Sequence, residues 1–145
     1  MSSIENEIVV ARRLLHEAME LQSAGNLAAA EDRYRMVIDR GYRVEGVLPI
    51  LAGIMAQRGD LTGSIAQWDA LLAIMPDHAV AHHEKGLLFA RLSRTEDAID
   101  SMKKACRADP ENPIAANNFA VMLSDAGRKR EALVEFQRAL TLQPG

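Results

Sequence analysis

His78, His82, His83 and Glu84 are the side chains of this sequence whose types best suit a bound metal ion. On a helix, the i, i+4 spacing of His78 and His82 would stack two imidazoles on one face, as a shared zinc ion requires. The helix that could carry them begins only after His78. At 3.6 residues per turn it sends His82 toward a paired helix and His83 with Glu84 toward an open face. The four are therefore not expected to converge, and neither a metal nor another cofactor is expected. His83 beside Glu84 remains a contact whose charge can respond to pH.

Other chemical groups give way to plainer explanations. The acidic pairs Glu31-Asp32 and Glu96-Asp97 fall near expected helix starts, where the backbone dipole stabilises negative charge, so both are taken as solvated helix ends. Lys103-Lys104 and Arg128-Lys129-Arg130 are short basic runs without interleaved aromatics. They sit in a chain of 17 basic and 20 acidic residues, net charge −3, which argues against a nucleic-acid partner. The sequence carries no glycine-rich phosphate loop, no paired-cysteine zinc pattern and no Ser/His/Asp set. Cys106 is the one cysteine, cannot form an internal disulfide, and is expected to serve as a small buried hydrophobe. No catalytic residue is assigned, and the chain is not expected to be an enzyme.

The elements that hold these residues follow from composition and period. Aromatic residues are only 4% of the chain while Ala, Leu and Met abound, which favours helices packed through small contacts over sheets. Stepping by about 34 residues from Gly25 meets Gly59, Ser93 and Gly127. The same step from Ala30 meets Ser64, Ala98 and Ala132, and from Tyr34 it meets Trp68, Met102 and Phe136. Two further series run Ala18, Ala52, Gly86, Ala120 and Leu21, Met55, Phe89, Leu123, and the units close on Tyr42, Pro76, Pro110 and Pro144. A small residue marks where two helix backbones approach, a large one fills the space beside it, and glycine ends the first helix in a left-handed cap. First helices are expected over 3–24, 45–58, 79–92 and 113–126, and second helices over 28–40, 62–75, 96–108 and 130–142.

With the family's small residue in the first helix, Gly between helices, small-then-aromatic in the second helix and a closing Pro, the sequence resembles the tetratricopeptide repeat family from about Ala11 to Gly145. The resemblance implies an all-α fold, a right-handed superhelix of about eight antiparallel helices in four units near 3–42, 45–76, 79–110 and 113–144. These are expected to form a single domain, 1–145. Residues 1–10 extend the first helix, and Ser2-Ser3-Ile4-Glu5 has the pattern of a capping box. The first unit departs from the family, with Tyr42 in place of Pro and Glu17 where an apolar residue is usual. Gly46, Pro49 and Gly53 in the third helix predict a kink or a late start.

The family's first helices line a concave binding face, which points to Arg12, Leu15, His16 and Met19, then Gly46, Pro49, Ile50, Gly53, Ala56 and Gln57. The face continues through Val80, His83, Glu84, Leu87 and Arg91, then Ile114, Asn117, Asn118, Val121 and Asp125. Relatives that grip chaperone carboxylate tails use Lys, Asn and Arg there. The matching positions here are Leu15, Met19, Ile50, Val80 and Glu84, so that clamp is absent. The asparagine ladder of O-linked N-acetylglucosamine transferases reads His16, Ile50, Glu84 and Asn118, one Asn in four. What remains suits an apolar-anchored peptide or helix, although several of these residues could equally pack between units.

An internal repeat unit needs a neighbour to cover its outer surface. Leu133, Leu140 and Leu142 match Ile65, Leu72 and Ile74, residues expected to be covered by a following unit. The edge they form is expected to be covered by another chain, by a second copy, or by sequence of a longer parent protein. The acidic amino terminus and the lack of any apolar run near ~18 residues predict a soluble, cytoplasmic chain with no membrane insertion. The functional expectation is a scaffold for a protein or peptide partner. The alternative is an auxiliary module of a longer enzyme, glycosyltransferase-like for example, that recruits substrate or mediates self-association.

Overall fold

Ser2 starts the first helix by a reciprocal exchange. The Ser2 hydroxyl accepts from the Glu5 N–H at 3.1 Å while the Glu5 carboxylate accepts from the Ser2 N–H at 2.6 Å, closing the capping box. The computed structural model describes residues 1–143. These form α1 (Ser3–Ser23), α2 (Leu27–Asp39), α3 (Val44–Gln57), α4 (Leu61–Ile74), α5 (Ala79–Arg91), α6 (Thr95–Ala108), α7 (Pro113–Asp125) and α8 (Lys129–Leu142), with no strand among the described residues. Every helix boundary falls within one residue of its expected position. The closing Pro144 and Gly145 lie outside the described residues.

The helices gather into two compact units, Met1–Ile74 and Met75 onward. In the first, α1 pairs with α2, α3 with α4, and α2 packs on α3. In the second, α5 pairs with α6, α7 with α8, and α6 packs on α7.

One turn geometry recurs four times. Gly25, Gly59 and Gly127 take φ of 81°, 88° and 79°, and Ser93 occupies the same left-handed place at 58°. Behind each, a backbone N–H reaches back to the carbonyl of Leu21, Met55, Phe89 or Leu123 at 2.8–2.9 Å, the six-to-one bond of a Schellman cap. The 34-residue series of large residues in the first helix is thus also the series of cap acceptors. The first unit closes differently where it lacks proline. Gly41 and Arg43 both adopt positive φ, and the Tyr42 N–H returns to the Val37 carbonyl at 3.3 Å.

Within each pair the helices meet at the small residues. Ala18, Ala30, Ala52 and Ser64 are wholly buried, and the Ser64 hydroxyl donates to the Ala52 carbonyl across the α3–α4 crossing at 2.7 Å. At Gly86 a Cβ would lie 3.1 Å from Met102 Cε and 3.3 Å from the Ala98 carbonyl oxygen, so this crossing leaves little room for a side chain. Tyr34, Trp68 and Met102 fill the space beside these crossings and are buried, while Phe136 is half-buried. The Tyr34 hydroxyl donates to Gln22 Oε1 at 2.6 Å.

The expected late start of α3 is not observed. The helix begins at Val44 and runs unbroken through Pro49, which forfeits one backbone bond in its second turn. Val47, Leu48, Leu51, Ala52, Ile54 and Met55 are all buried along it, and that apolar burial outweighs the lost bond. No described helix is long and apolar enough to cross a membrane.

Ala52→Leu is expected to lower unfolding stability by about 1–3 kcal/mol through overpacking of the α3–α4 crossing. Ser93→Gly is expected to raise it by about 0.5 kcal/mol, the relief of the left-handed backbone less the added chain entropy. Urea midpoints at unchanged m-value would check both. An Ala52→Leu variant as stable as the parent would contradict the close-approach account.

Candidate partner-binding surfaces

α5 and α7 both belong to the second unit and are joined by a polar link. Asn118 Nδ2 donates to His83 Nε2 at 2.9 Å. That direction leaves the imidazole proton on Nδ1, which lies 3.7 Å from the Glu84 carboxylate. The helical period places Val80, His83, Glu84, Leu87 and Arg91 along α5, and Ile114, Asn117, Asn118, Val121 and Asp125 along α7. None of these is buried: Val80 is 55% and Ile114 64% exposed, Val121, Asn117, Asp125 and Arg91 are also exposed, and His83, Glu84, Leu87 and Asn118 are half-buried. A linked pair of polar side chains therefore sits among apolar groups that the fold leaves uncovered.

The corresponding face of α1 and α3 is barer. Met19 and Ile50 are exposed and Leu15 is half-buried, while Gly46 and Gly53 contribute no side chain. His16 turns to its own helix, with Nε2 3.1 Å from Glu20. Arg12 is engaged with Tyr42, and its hydrogen bond, helped by the nearby Arg43, holds the phenol below its ordinary pKa.

The histidine window spreads out as its helical register requires. His78 caps α5, its Nδ1 accepting from the Ala81 N–H at 3.1 Å, and His82 Nε2 donates to the Pro76 carbonyl at 2.9 Å. With His83 on Asn118, the three imidazoles have three separate partners. Among the described residues no group of three His, Cys, Asp or Glu side chains comes together in a metal-holding arrangement. Cys106 is buried, and desolvation raises its thiol pKa while the Arg138 hydrogen bond pulls the other way.

Glu31 corrects the reading of the acidic pairs. Glu96 and Asp97 are exposed in the first turn of α6, but Glu31 is only 4% exposed, and its carboxylate is clasped by Arg35 at 2.6 Å and by Arg58 from the end of α3. The signal was present in the repeat. Glu31 stands in a column otherwise filled by Ile65, Ile99 and Leu133, and an acid in an apolar column must find a partner when its neighbour covers it. Glu17, also on an apolar position, is matched by Arg33 at 3.0 Å.

Along α8, Leu133 and Leu140 are 58% and 72% exposed and Val134 is exposed, whereas the equivalent α6 residues Ile99 and Cys106, which α7 covers, are 4% and 8% exposed. Leu142 departs from the expected edge, being half-buried at the helix end. Ile74, expected to be covered, is 47% exposed as the last residue of α4.

Glu31→Leu restores the residue type of its column and is expected to leave stability unchanged or to raise it by about 1 kcal/mol. Replacing Arg35 and Arg58 together by Ala strands the buried carboxylate and is expected to cost about 2 kcal/mol, which a further Glu31→Leu should recover. Denaturant melts of the three variants check this, and a triple variant as unstable as the double one would count against it.

Comparison with known proteins agrees with this geometry. A tetratricopeptide repeat family model matches residues 55–113 and 83–145, together more than half of the chain. Protein FlbA of Caulobacter vibrioides is 28% identical over 142 residues, 98% of this chain and 23% of FlbA. SPINDLY of Arabidopsis thaliana, a probable UDP-N-acetylglucosamine–peptide N-acetylglucosaminyltransferase, is 28% identical over 89 residues, 61% of this chain and 10% of that protein. The chain thus spans less than a quarter of the length of either relative. Among solved structures, MamA of Desulfovibrio magneticus superposes with a TM-score of 0.80 at 18% identity, over 93% of this chain and 78% of that one. YrrB, described as a tetratricopeptide repeat protein with an unusual peptide-binding site, gives 0.77 at 14% identity over 92% and 69%. A repeat protein of Parabacteroides merdae gives 0.85 at 16% identity over 92% and 53%. At such identities these structures share the fold. The recurring caps, the small-residue crossings and the matched repeat model lead to one conclusion: the chain belongs to the tetratricopeptide repeat family.

Proposed function

We propose that this chain is a protein-interaction module that holds a short segment of a partner protein on the open face of α5 and α7. The observation that carries the reading is the Asn118–His83 link set among Val80, Leu87, Ile114 and Val121. A bound segment needs apolar pockets for its anchors and polar groups for its backbone. The Asn118 amide is oriented by His83 and has its oxygen left for an incoming N–H. Met19 and Ile50 on α1 and α3 offer a further apolar surface in the other unit. The net charge of −3 favours a polypeptide partner over nucleic acid. In this reading the chain does no chemistry itself, and a cytoplasmic setting suits its lone thiol. A second polypeptide on the α8 edge is compatible with this role, since it leaves α5 and α7 open.

The match to SPINDLY, over a small fraction of that protein, supports a second reading in which the repeats serve as an auxiliary module of a longer polypeptide and recruit its substrate. Both readings use the same surface.

Peptides selected from a random display library against the immobilised chain should bind in the micromolar range by fluorescence anisotropy. Asn118→Ala and Val80→Glu should each weaken them about tenfold or more, while Ile4→Glu on the first turn of α1 should not. Selected peptides indifferent to both α5 and α7 substitutions would refute the assignment.

A further inference from the structure

We infer that α8 is the seat of a twofold, antiparallel contact between two copies of this chain. The face α8 presents is the face that α6 presents to α7. Leu133 and Leu140 stand where Ile99 and Cys106 are covered by a helix, so the surface is shaped for a helix and is unoccupied among the described residues. Leu133, Gln137 and Leu140 fall on one stripe, at spacings of four and three residues. An exposed apolar strip of this kind marks a contact site.

The occupant can be argued from charge and register. A second α8 laid antiparallel, with its twofold axis between Phe136 and Gln137, sets Leu133 opposite Leu140 of the second copy, and the reverse. Gln137 then lies at the axis, where two amides can each donate and accept. Arg130 falls opposite Gln143 of the second copy, the C-cap residue of α8. That end carries the negative pole of the helix dipole and has no basic residue in its own last turn. Arg128 at the opposite end of the same helix is held by Glu131 and Glu96 of its own chain, but Lys129 and Arg130 beside it are exposed, so each copy brings positive charge to the pole the other leaves uncompensated. The strip is therefore complementary to itself, as a closed isologous contact requires.

The alternative of head-to-tail stacking lacks such a match. The residues of α1 that occupy the register of Val47, Leu51 and Ile54, the face by which α3 meets α2, are Arg13, Glu17 and Glu20. Glu17 is already paired with Arg33. An apolar strip set against that charged face would desolvate ions without replacing their partners.

This contact stands apart from the binding proposed on α5 and α7, so a variant made monomeric should still bind its selected peptides, and failure of one leaves the other standing. Sedimentation velocity and equilibrium across a wide concentration range test it on the full chain. The expected result is a monomer–dimer equilibrium that saturates at two copies. Leu140→Glu and Leu133→Glu should each raise its dissociation constant at least about tenfold, Arg130→Glu by a smaller factor, and Ile4→Glu not at all. Circular dichroism should be unchanged in all four, because each site is exposed. A chain that stays monomeric at millimolar concentration, an assembly that grows past two, or a dimer insensitive to both leucine substitutions would each overturn the inference.

Discussion

Close approach of paired helix backbones is the constraint on which the remaining structure depends. Where Ala52 faces Ser64 and Gly86 faces Ala98 there is room for little beyond a methyl group, and a hydroxyl-to-carbonyl bond spans the first of these crossings. That closeness fixes the angle of each pair and leaves gaps that Tyr34, Trp68 and Met102 fill. It also explains why the turn between helices is so uniform. A crossing this tight tolerates only one short connection, and the left-handed cap at Gly25, Gly59, Ser93 and Gly127 supplies it.

Once the small and large residues are committed to the pairs, what each helix has left over becomes surface. α5 and α7 spend Ala81, Leu88, Ala116 and Phe119 on the core and leave Val80, His83, Ile114 and Asn118 facing outward. A surface made this way inherits the rigidity of the helices beneath it, so a partner on the proposed binding face would meet groups already in place and lose little ordering entropy. Variation of these outward residues costs the fold almost nothing, and this is how one repeat architecture serves many ligands.

Glu31 shows how the same logic handles an exception. The repeat demands cover at that position, and covering a carboxylate without partners would destabilise the unit. Arg35 from the next turn and Arg58 from the end of α3 resolve the conflict with a clasp that joins two repeat units. The first unit thereby uses ionic contacts where later ones use Ile65 and Ile99, and Glu17 with Arg33 follows the same pattern.

Helix positions, the caps, the small-residue crossings and the family were legible in the residues alone, because a 34-residue period repeats each local requirement four times and one ambiguous position cannot hide it. Pro49 misled in part: local propensity argued for a broken or late helix, and only the burial of Leu48, Leu51 and Ile54 on neighbouring elements decided that it runs through. The burial of Glu31, the diversion of Arg12 to Tyr42 and the linking of His83 to Asn118 join residues of different segments, up to 35 positions apart. A periodic pattern records which side of its own helix a residue occupies. Which side chain waits across the gap depends on the packing of two helices at once, and that belongs to tertiary structure.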